Sequence, residues 1–253
     1  MTVRGTSGQQ PATDAARAGR RRAAILAGHR GDGAGARAAL ADPDPEVRAA
    51  GLGALARLAH LDLAVLAASL ADPDPRVRRR TCELAGQAAG QSRTASGLLA
   101  RGTLVGLLVS ALNDPAAAVV EMAAWALGEV GPRAGTSAVD GLVGVAGSHL
   151  DPLCREAAVA ALGAIGHHRG LGAVLGGLRD KPAIRRRAAV ALAAFDDPAA
   201  EAGLRRCLDD RDWQVRQVVE VLLDAPRAEG AAGRVAQTAD SSAVVGTGTA
   251  ADP

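Results

Sequence analysis

A seven-residue phrase recurs along this chain and limits its architecture more than any other feature. It reads DPDPEVR at 42–48 and DPDPRVR at 72–78. Weaker copies start at positions 114, 149, 179 and 210, and each is followed by an alanine-rich run. The apolar anchor residue of the phrase recurs every 30 to 42 residues. A period of this length is typical of a solenoid of helix pairs, in which each unit buries its apolar face against its neighbours.

The form of the phrase predicts where the second helix of each pair begins. Asp44 and Asp74 precede prolines, and Asp is a preferred N-cap because its carboxylate accepts hydrogen bonds from free backbone N–H groups. Proline fits the first helical position, where no donor is needed. Apolar residues then recur at the spacing of one helical face from Val47, Cys154 and Ile184 onward. The predicted second helices lie near 44–59, 74–89, 115–130, 151–166, 182–195 and 212–224.

The two ends of the chain differ from the repeats in composition. Residues 1–13 are polar, and residues 225–253 are rich in Gly, Ala, Ser and Thr without helical periodicity. Neither stretch can bury enough apolar surface to offset its ordering entropy, so we predict two disordered tails around a folded array at 14–224. The array opens with 14–32, which has the character of an N-terminal capping helix. The widest interval contains 89–103, which we predict to be a long loop.

Composition narrows the class of protein further. Hydrophobic residues make up 48% of the chain and aromatics only 1%, so we expect a core of Ala, Leu and Val. The net charge of +2 is too small to indicate a polyanion partner. Three cysteines without paired spacing indicate core residues in a reducing compartment. With no signal-peptide pattern and no long apolar run, we expect a protein of the cytoplasm that does not enter a membrane. Because the repeats stack in one dimension and no self-complementary edge is evident, we also expect a monomer.

The phrase and its helix resemble HEAT repeats. The shared pattern is L-x-D-x-x-x-x-V-R-x-x-A-x-x-A-L-G, it covers about 30–225, and it is most similar to the short bacterial type related to phycobilisome lyase repeats. The resemblance implies an all-α fold, an α-solenoid of about six helix pairs with an N-terminal capping helix. It also implies a polar ladder between neighbouring repeats, formed by the Asp of the phrase and the Arg that follows the anchor.

Carried over to this chain, the ladder is incomplete. The Asp row would contain Asp42, Asp72, Asp114 and Asp210, and the Arg row Arg48, Arg78, Arg155, Arg185 and Arg216. Val120 stands in the Arg place of the third repeat, and His149 and Arg179 stand in the Asp places of the fourth and fifth. We therefore expect the ladder to be interrupted in the middle of the array, with a bend or flexible joint there.

No catalytic motif stands out. The chain has no glycine-rich phosphate loop, no CxxC pair and no GxSxG elbow. One HEAT-like enzyme, deoxyhypusine hydroxylase, holds two irons through His-Glu dipeptides, and this chain contains none. His29, His167 and His168 lie in glycine-flanked turns, where a solvated histidine is the expected state. We therefore expect no metal and no cofactor, and an enzyme activity rests only on analogy to HEAT-repeat hydroxylases or lyases.

The exposed side of the second helices carries the candidate binding residues. In HEAT arrays this side lines the concave surface, and here it is basic, then acidic with Met and Trp, then basic again. The sequence leaves open whether Trp125 is exposed or buried at the core edge. The predicted partner-binding residues are Arg79, Arg80, Glu121, Met122, Trp125, Glu156, Arg186 and Arg187.

Two functions are compatible with this surface. The favoured one is a non-catalytic scaffold that binds an unidentified protein or peptide along the concave surface. The alternative is nucleic-acid-backbone binding through the arginine clusters at 20–22, 78–80 and 185–187, since Arg forks suit phosphate. Glu121 and Glu156 lie between the last two clusters and would repel phosphate. A steep loss of affinity with salt would indicate the second function.

Overall fold

The computed structural model describes residues 9–91 and 95–224, and within these ranges the chain consists of α-helices in two layers, with no strand. The inner layer contains α1 (Gln9–Arg30), α3 (Pro45–Arg57), α5 (Pro75–Gln91), α7 (Ala117–Val130), α9 (Pro152–Ile165), α11 (Pro182–Leu192) and α13 (Trp213–Asp224). The outer layer contains α2 (Gly33–Ala38), α4 (Leu63–Leu70), α6 (Ala95–Ala111), α8 (Gly135–Ser148), α10 (Leu171–Gly177) and α12 (Pro198–Arg206).

Each outer helix packs on the inner helix that follows it, and each inner helix packs on the next inner helix. Short 3₁₀ turns join some successive helices, at Ala39–Ala41 and Cys207–Asp209 within pairs and at Gly131–Ala134 and His168–Gly170 between pairs. Because every helix contacts mainly its neighbours in sequence, the array grows in one direction. The predicted all-α solenoid of about six helix pairs behind a capping helix is confirmed.

The anchor of the phrase sets the register of every inner helix. Asp44 and Asp151 cap their helices by accepting from backbone N–H groups two residues later, at 2.8 and 2.9 Å. The prolines that follow take the first helical position, as predicted. All six anchors are at most 2% exposed: Val47, Val77, Val119, Cys154, Ile184 and Val215. The inward stripe predicted from the sequence is therefore confirmed.

Two predicted boundaries differ from the structure. Helix α1 begins at Gln9, inside the stretch 1–13 that was predicted to be a tail. The predicted loop at 89–103 is mostly helical, because α5 continues to Gln91 and α6 starts at Ala95. Further along α6, Leu104 and Leu108 are buried in the core, and such packing stabilises a helix that its Gly and Ser content would disfavour. Residues 1–8, 92–94 and 225–253, which include the rest of the predicted tails, lie outside the described residues.

The polar ladder is present along one edge of the inner layer. Arg48 donates from Nε and Nη2 to the two carboxylate oxygens of Asp72 in the next repeat, at 2.8 and 2.7 Å. Arg78 binds Asp114 in the same way, at 2.7 and 2.8 Å. The third nitrogen, Nη1, donates to a carbonyl in the turn of its own repeat, at 2.9 Å in both cases. Each guanidinium therefore connects two successive turns.

The other arginines of the ladder extend it and correct one prediction. Arg155 pairs with Asp180. The sequence pattern put Arg179 in the Asp place of this repeat, which is wrong by one residue because this turn is one residue shorter than the others. Arg185 pairs with Asp210 at 2.8 Å from both nitrogens. Arg20 of α1 also donates to Asp42, at 2.8 and 3.4 Å, so the capping helix belongs to the ladder. At the other end, Arg216 donates to the Asp210 carbonyl at 2.6 Å.

The predicted interruption of the ladder is confirmed between α7 and α9. Val120 is buried in the Arg place, and His149 Nδ1 accepts from the Asp151 backbone N–H at 3.1 Å. His149 thus supports the turn as an Asp would. Because Val120 and His149 replace the Arg and the Asp of the ladder together, neither charge is left without its partner at this step. The helices still pack closely, because a Cβ on Gly128 would lie 3.2 Å from Ala161 Cα. This packing gives no support to the predicted flexible joint.

Candidate functional site

A groove of about 660 Å³ runs across the exposed side of α5, α7 and α9. We call this exposed side of the inner layer the concave face. Small residues form much of the groove floor, among them Gly128, Ala160 and Ala164, so nothing longer than a methyl group projects from those positions. Trp125 and Leu153 contribute apolar surface to its walls. A groove with a low floor and larger side walls can admit the backbone of an extended chain.

The structure brings together most of the residues predicted from the sequence. The groove is lined by six of the eight: Arg79, Glu121, Met122, Trp125, Glu156 and Arg187. The other two are held elsewhere. Arg80 lines a neighbouring pocket and pairs with Glu83 at 2.9 Å, while Arg186 Nη1 donates to Gln214 Oε1 at 2.6 Å. Helical phase placed all eight on one side, but these two arginines extend towards other partners.

Trp125 lies at the boundary between core and groove. Its side chain is 36% exposed, so both alternatives left open by the sequence are partly correct. The indole packs against Gly86 of the preceding inner helix, where an added Cβ would lie 2.7 Å from Trp125 Cζ3. The same Cβ would lie 2.9 Å from Ala126 Cα. Gly86 therefore allows the indole and helix α7 to approach α5, and the rest of the ring faces the groove.

The predicted binding residues omit Glu83, Gln87, Glu129 and Leu153, whose side chains also line the groove. Leu153 is 55% exposed at the start of α9, directly before the anchor of its repeat. Three of the other repeats carry Glu46, Arg76 and Gln214 in this place, and the remaining two carry alanine. A leucine at a position that is polar or small in the other repeats was the signal that could have identified it.

Only some of the charged side chains in the groove form ion pairs with other residues of the protein. Arg187 lies 3.6 Å from Glu156, and Glu83 pairs with Arg80. Among the residues whose side chains the structure describes, by contrast, the side chains of Glu121, Glu129 and Arg79 form no hydrogen bond or ion pair. Relative to the side chains that the structure describes, the centre of the groove thus offers two unpaired carboxylates beside an indole, and the Arg79 guanidinium on α5 is also unpaired. This arrangement suits a ligand with cationic and apolar groups.

The described part of the chain presents no cluster of three or more His, Cys, Asp or Glu placed to hold a metal ion. All three cysteines are buried, and burial raises the pKa of the Cys82 thiol to about 12. At neutral pH this thiol is protonated and is not a nucleophile. Among the helices that the structure describes, none is both long and apolar enough to cross a bilayer.

Comparison with known proteins agrees with this architecture. The family model for HEAT repeats matches residues 63–163, 105–190 and 148–224, which together span more than half of the chain. The chain belongs to the HEAT-repeat family. No curated protein sequence matches it.

Solved structures with the same fold as this HEAT-repeat chain include engineered repeat proteins. One engineered protein has 19% identity and a TM-score of 0.55 and covers 76% of this chain and 95% of its own. A designed armadillo repeat protein in complex with the peptide (KR)4 has 16% identity and a TM-score of 0.55, covering 74% of this chain and 96% of its own. Human deoxyhypusine hydroxylase has 24% identity and a TM-score of 0.42, covering 81% of this chain and 78% of its own.

Proposed function

We propose that this HEAT-repeat chain is a non-catalytic scaffold that binds an extended segment of a partner protein in the concave groove. The observation that carries the proposal is the group of Trp125, Glu121 and Glu129. Within the described residues, the two carboxylates have no structural partner, and the indole keeps a third of its surface exposed beside them. Tryptophan is among the residues that most often dominate interface energy.

The dimensions of the groove suit a peptide. Neighbouring inner helices lie about 10 Å apart, so the step from α5 to α11 spans about 30 Å. An extended chain of about nine residues has this length. The designed armadillo protein of similar fold is in complex with (KR)4, which supports a peptide ligand for this architecture. The unpaired carboxylates of the present groove favour Lys or Arg in the middle of the bound segment.

The contacts of the arginine clusters favour a protein partner over nucleic acid. The first arginine of each cluster, Arg20, Arg78 or Arg185, is committed to the ladder. In the last two clusters, Arg80 and Arg187 lie beside glutamates. These contacts leave few guanidiniums free to follow a phosphate backbone, and binding to DNA or RNA depends on several such contacts.

The proposal includes three expectations that come from the sequence. The chain acts as a monomer, it works in the cytoplasm, and its repeats are of the short bacterial type related to phycobilisome lyase repeats. None of them implies a pigment ligand, and the ligand proposed here is a peptide. A binding selection supplies the sequence preference of the groove for its partner segment.

A selection from displayed random peptides of about 12 residues tests the proposal on the full chain. We expect enrichment of peptides that combine Lys or Arg with a large apolar residue. Titration calorimetry on the strongest peptide should then show that Trp125→Ala weakens binding by about tenfold or more. Trp213→Ala is the matched control, because Trp213 is 61% exposed on α13 and does not line the groove. No enrichment over the empty matrix, or equal losses in both variants, would contradict the proposal.

A further inference from the structure

A second pocket, of about 360 Å³, lies on the concave face on the N-terminal side of the groove. Helices α1, α3 and α5 each contribute an arginine to it: Arg21, Arg57 and Arg80. Ile25, which is 42% exposed, adds apolar surface, and Gly53 forms part of the floor. We call this cavity the arginine pocket.

The fold leaves two of the three guanidiniums unused. In the described part of the chain, Arg21 and Arg57 form no ion pair or side-chain hydrogen bond. Arg80 lies across Gly53, where an added Cβ would be 3.2 Å from its Nη2, and it pairs with Glu83. Glu46, the one carboxylate among the described residues of the lining, lies 3.7 Å from Arg76. The described residues of the pocket therefore carry an excess of positive charge, and this excess is not neutralised by ion pairs within the fold.

The position of Arg21 follows from the ladder. Arg20 is held by both oxygens of Asp42, which fixes the rotation of α1 about its axis. The next residue, Arg21, then occupies the same place relative to the ladder arginine as Arg79 does on α5. Both point to the concave face, and each lines a cavity there. The arginine pocket and the groove are thus successive parts of one surface with opposite charge.

We propose that the arginine pocket binds acidic side chains of the same partner segment that occupies the groove. This inference rests on the proposed function. Guanidinium forks match carboxylates in a two-point geometry, which suits Asp or Glu side chains. Helices α3 and α7 are two steps apart in the layer, or about 20 Å. The acidic residues should therefore stand about six residues from the basic and apolar core of the segment.

Opposite charges at the two ends of the surface give the site a specificity function. A segment with an acidic flank and a basic core meets complementary charge in both places. A uniformly basic or uniformly acidic segment meets repulsion in one of them, which lowers its affinity relative to the mixed segment. The arginine pocket thus sets the direction in which the segment lies along the array.

Displayed random peptides of about 20 residues, selected on the full chain, test this inference. The parent should enrich peptides with a basic and apolar core and with Asp or Glu about six residues to one side. The variant Arg21→Glu/Arg57→Glu should enrich the same core with Lys or Arg in the flank. Arg22→Glu is the matched control, because Arg22 is an exposed residue of α1 that does not line the pocket. Replacing the acidic flank by Gln in a selected peptide should weaken binding to the parent by about three- to tenfold and leave binding to the charge-reversed variant no weaker.

The outcomes separate this inference from the proposed function. A core motif without any preference in the flank, or an unchanged preference in the charge-reversed variant, would overturn the role of the arginine pocket and leave the groove intact. An absence of enrichment would overturn the proposed function as well. Binding of a single-stranded oligothymidine that the parent shows and the charge-reversed variant loses would assign the pocket to phosphate instead of to acidic side chains.

Discussion

Arg78 and Arg79 are adjacent in the sequence, yet the fold uses them in opposite ways. The Arg78 side chain is 12% exposed and binds both oxygens of Asp114. Arg79 is exposed, lines the groove and, among the described residues, has no side-chain partner. One step of about 100° around a helix thus separates a structural charge from one that is free to bind. In this array, phase relative to the anchor decides the role of an arginine.

The same contrast extends to the carboxylates. The hydrogen bond from Arg78 holds the pKa of the Asp114 carboxyl below its usual range, and Arg185 has the same effect on the pKa of Asp210. Both are saturated by the ladder and by backbone N–H groups. Glu121 and Glu129 on the concave face lack such partners in the described residues. Ladder substitutions should therefore change stability, and groove substitutions should change binding.

The largest expected effect comes from a charge placed in the buried stripe. Leu162→Asp buries an unpaired carboxylate at a position that is 1% exposed, and we expect a loss of several kcal/mol and local unfolding. Val190→Asp is the control, because Val190 is 46% exposed on α11. Urea unfolding followed by circular dichroism measures both variants. Similar losses would show that the helix register is wrong.

A smaller effect should separate the adjacent arginines. Arg78→Ala leaves the Asp114 carboxylate without its partner in a half-buried site, and we expect a loss of about 2–3 kcal/mol. Arg79→Ala should change the free energy of unfolding by less than about 0.5 kcal/mol, because it removes an exposed side chain. Thermal melts of the two variants compare them directly. A reversed order would break the distinction between ladder and concave face.

Acid should weaken the ladder gradually. The ladder carboxyls have a pKa below the ordinary value of 3.8, so their contribution is fully present above that pH. This contribution to the free energy of unfolding is lost as the pH falls through the lowered pKa of the folded state. The reason is that the unfolded chain binds protons at a higher pH than the folded protein does. Asp114→Asn should be less stable at neutral pH and should lose less stability on acidification. Parallel pH profiles for variant and parent would argue against this ladder contribution.

The recurrence of the phrase explains how much of this fold could be predicted. Around anchors such as Val47 and Cys154, the sequence has an N-cap residue, a proline at the first helical position and an apolar stripe. Local helix preference and tertiary packing therefore favour the same helix register. Asp180 was misplaced because its turn is one residue shorter, and an error of one residue moves a side chain off the ladder. Arg20 was missed as a ladder residue because α1 has no DP phrase before it. Helix α6 was predicted as a loop in part because its support comes from tertiary packing, which composition does not show.

The candidate site was less predictable than the fold. Helical phase was sufficient to select the side of the helix, so Trp125 and Glu121 were identified. It did not show that Arg186 extends to Gln214 on the next inner helix, because the direction of a long side chain depends on its neighbours. Nor did it show that Gly86 makes room for the indole. Contacts between repeats supply this information, and a single repeat does not contain it.

The central claim is that the ladder maintains the array while the groove binds the partner. The most direct test measures melting temperature and affinity together, for Arg185→Ala and Trp125→Ala, with the strongest selected peptide at a temperature where circular dichroism shows both variants folded. We predict that Arg185→Ala lowers the melting temperature and keeps the affinity within about twofold, while Trp125→Ala, which truncates a partly buried indole, also lowers the melting temperature but loses about tenfold in affinity. Loss of peptide binding in folded Arg185→Ala, or parental affinity in Trp125→Ala, would contradict the claim.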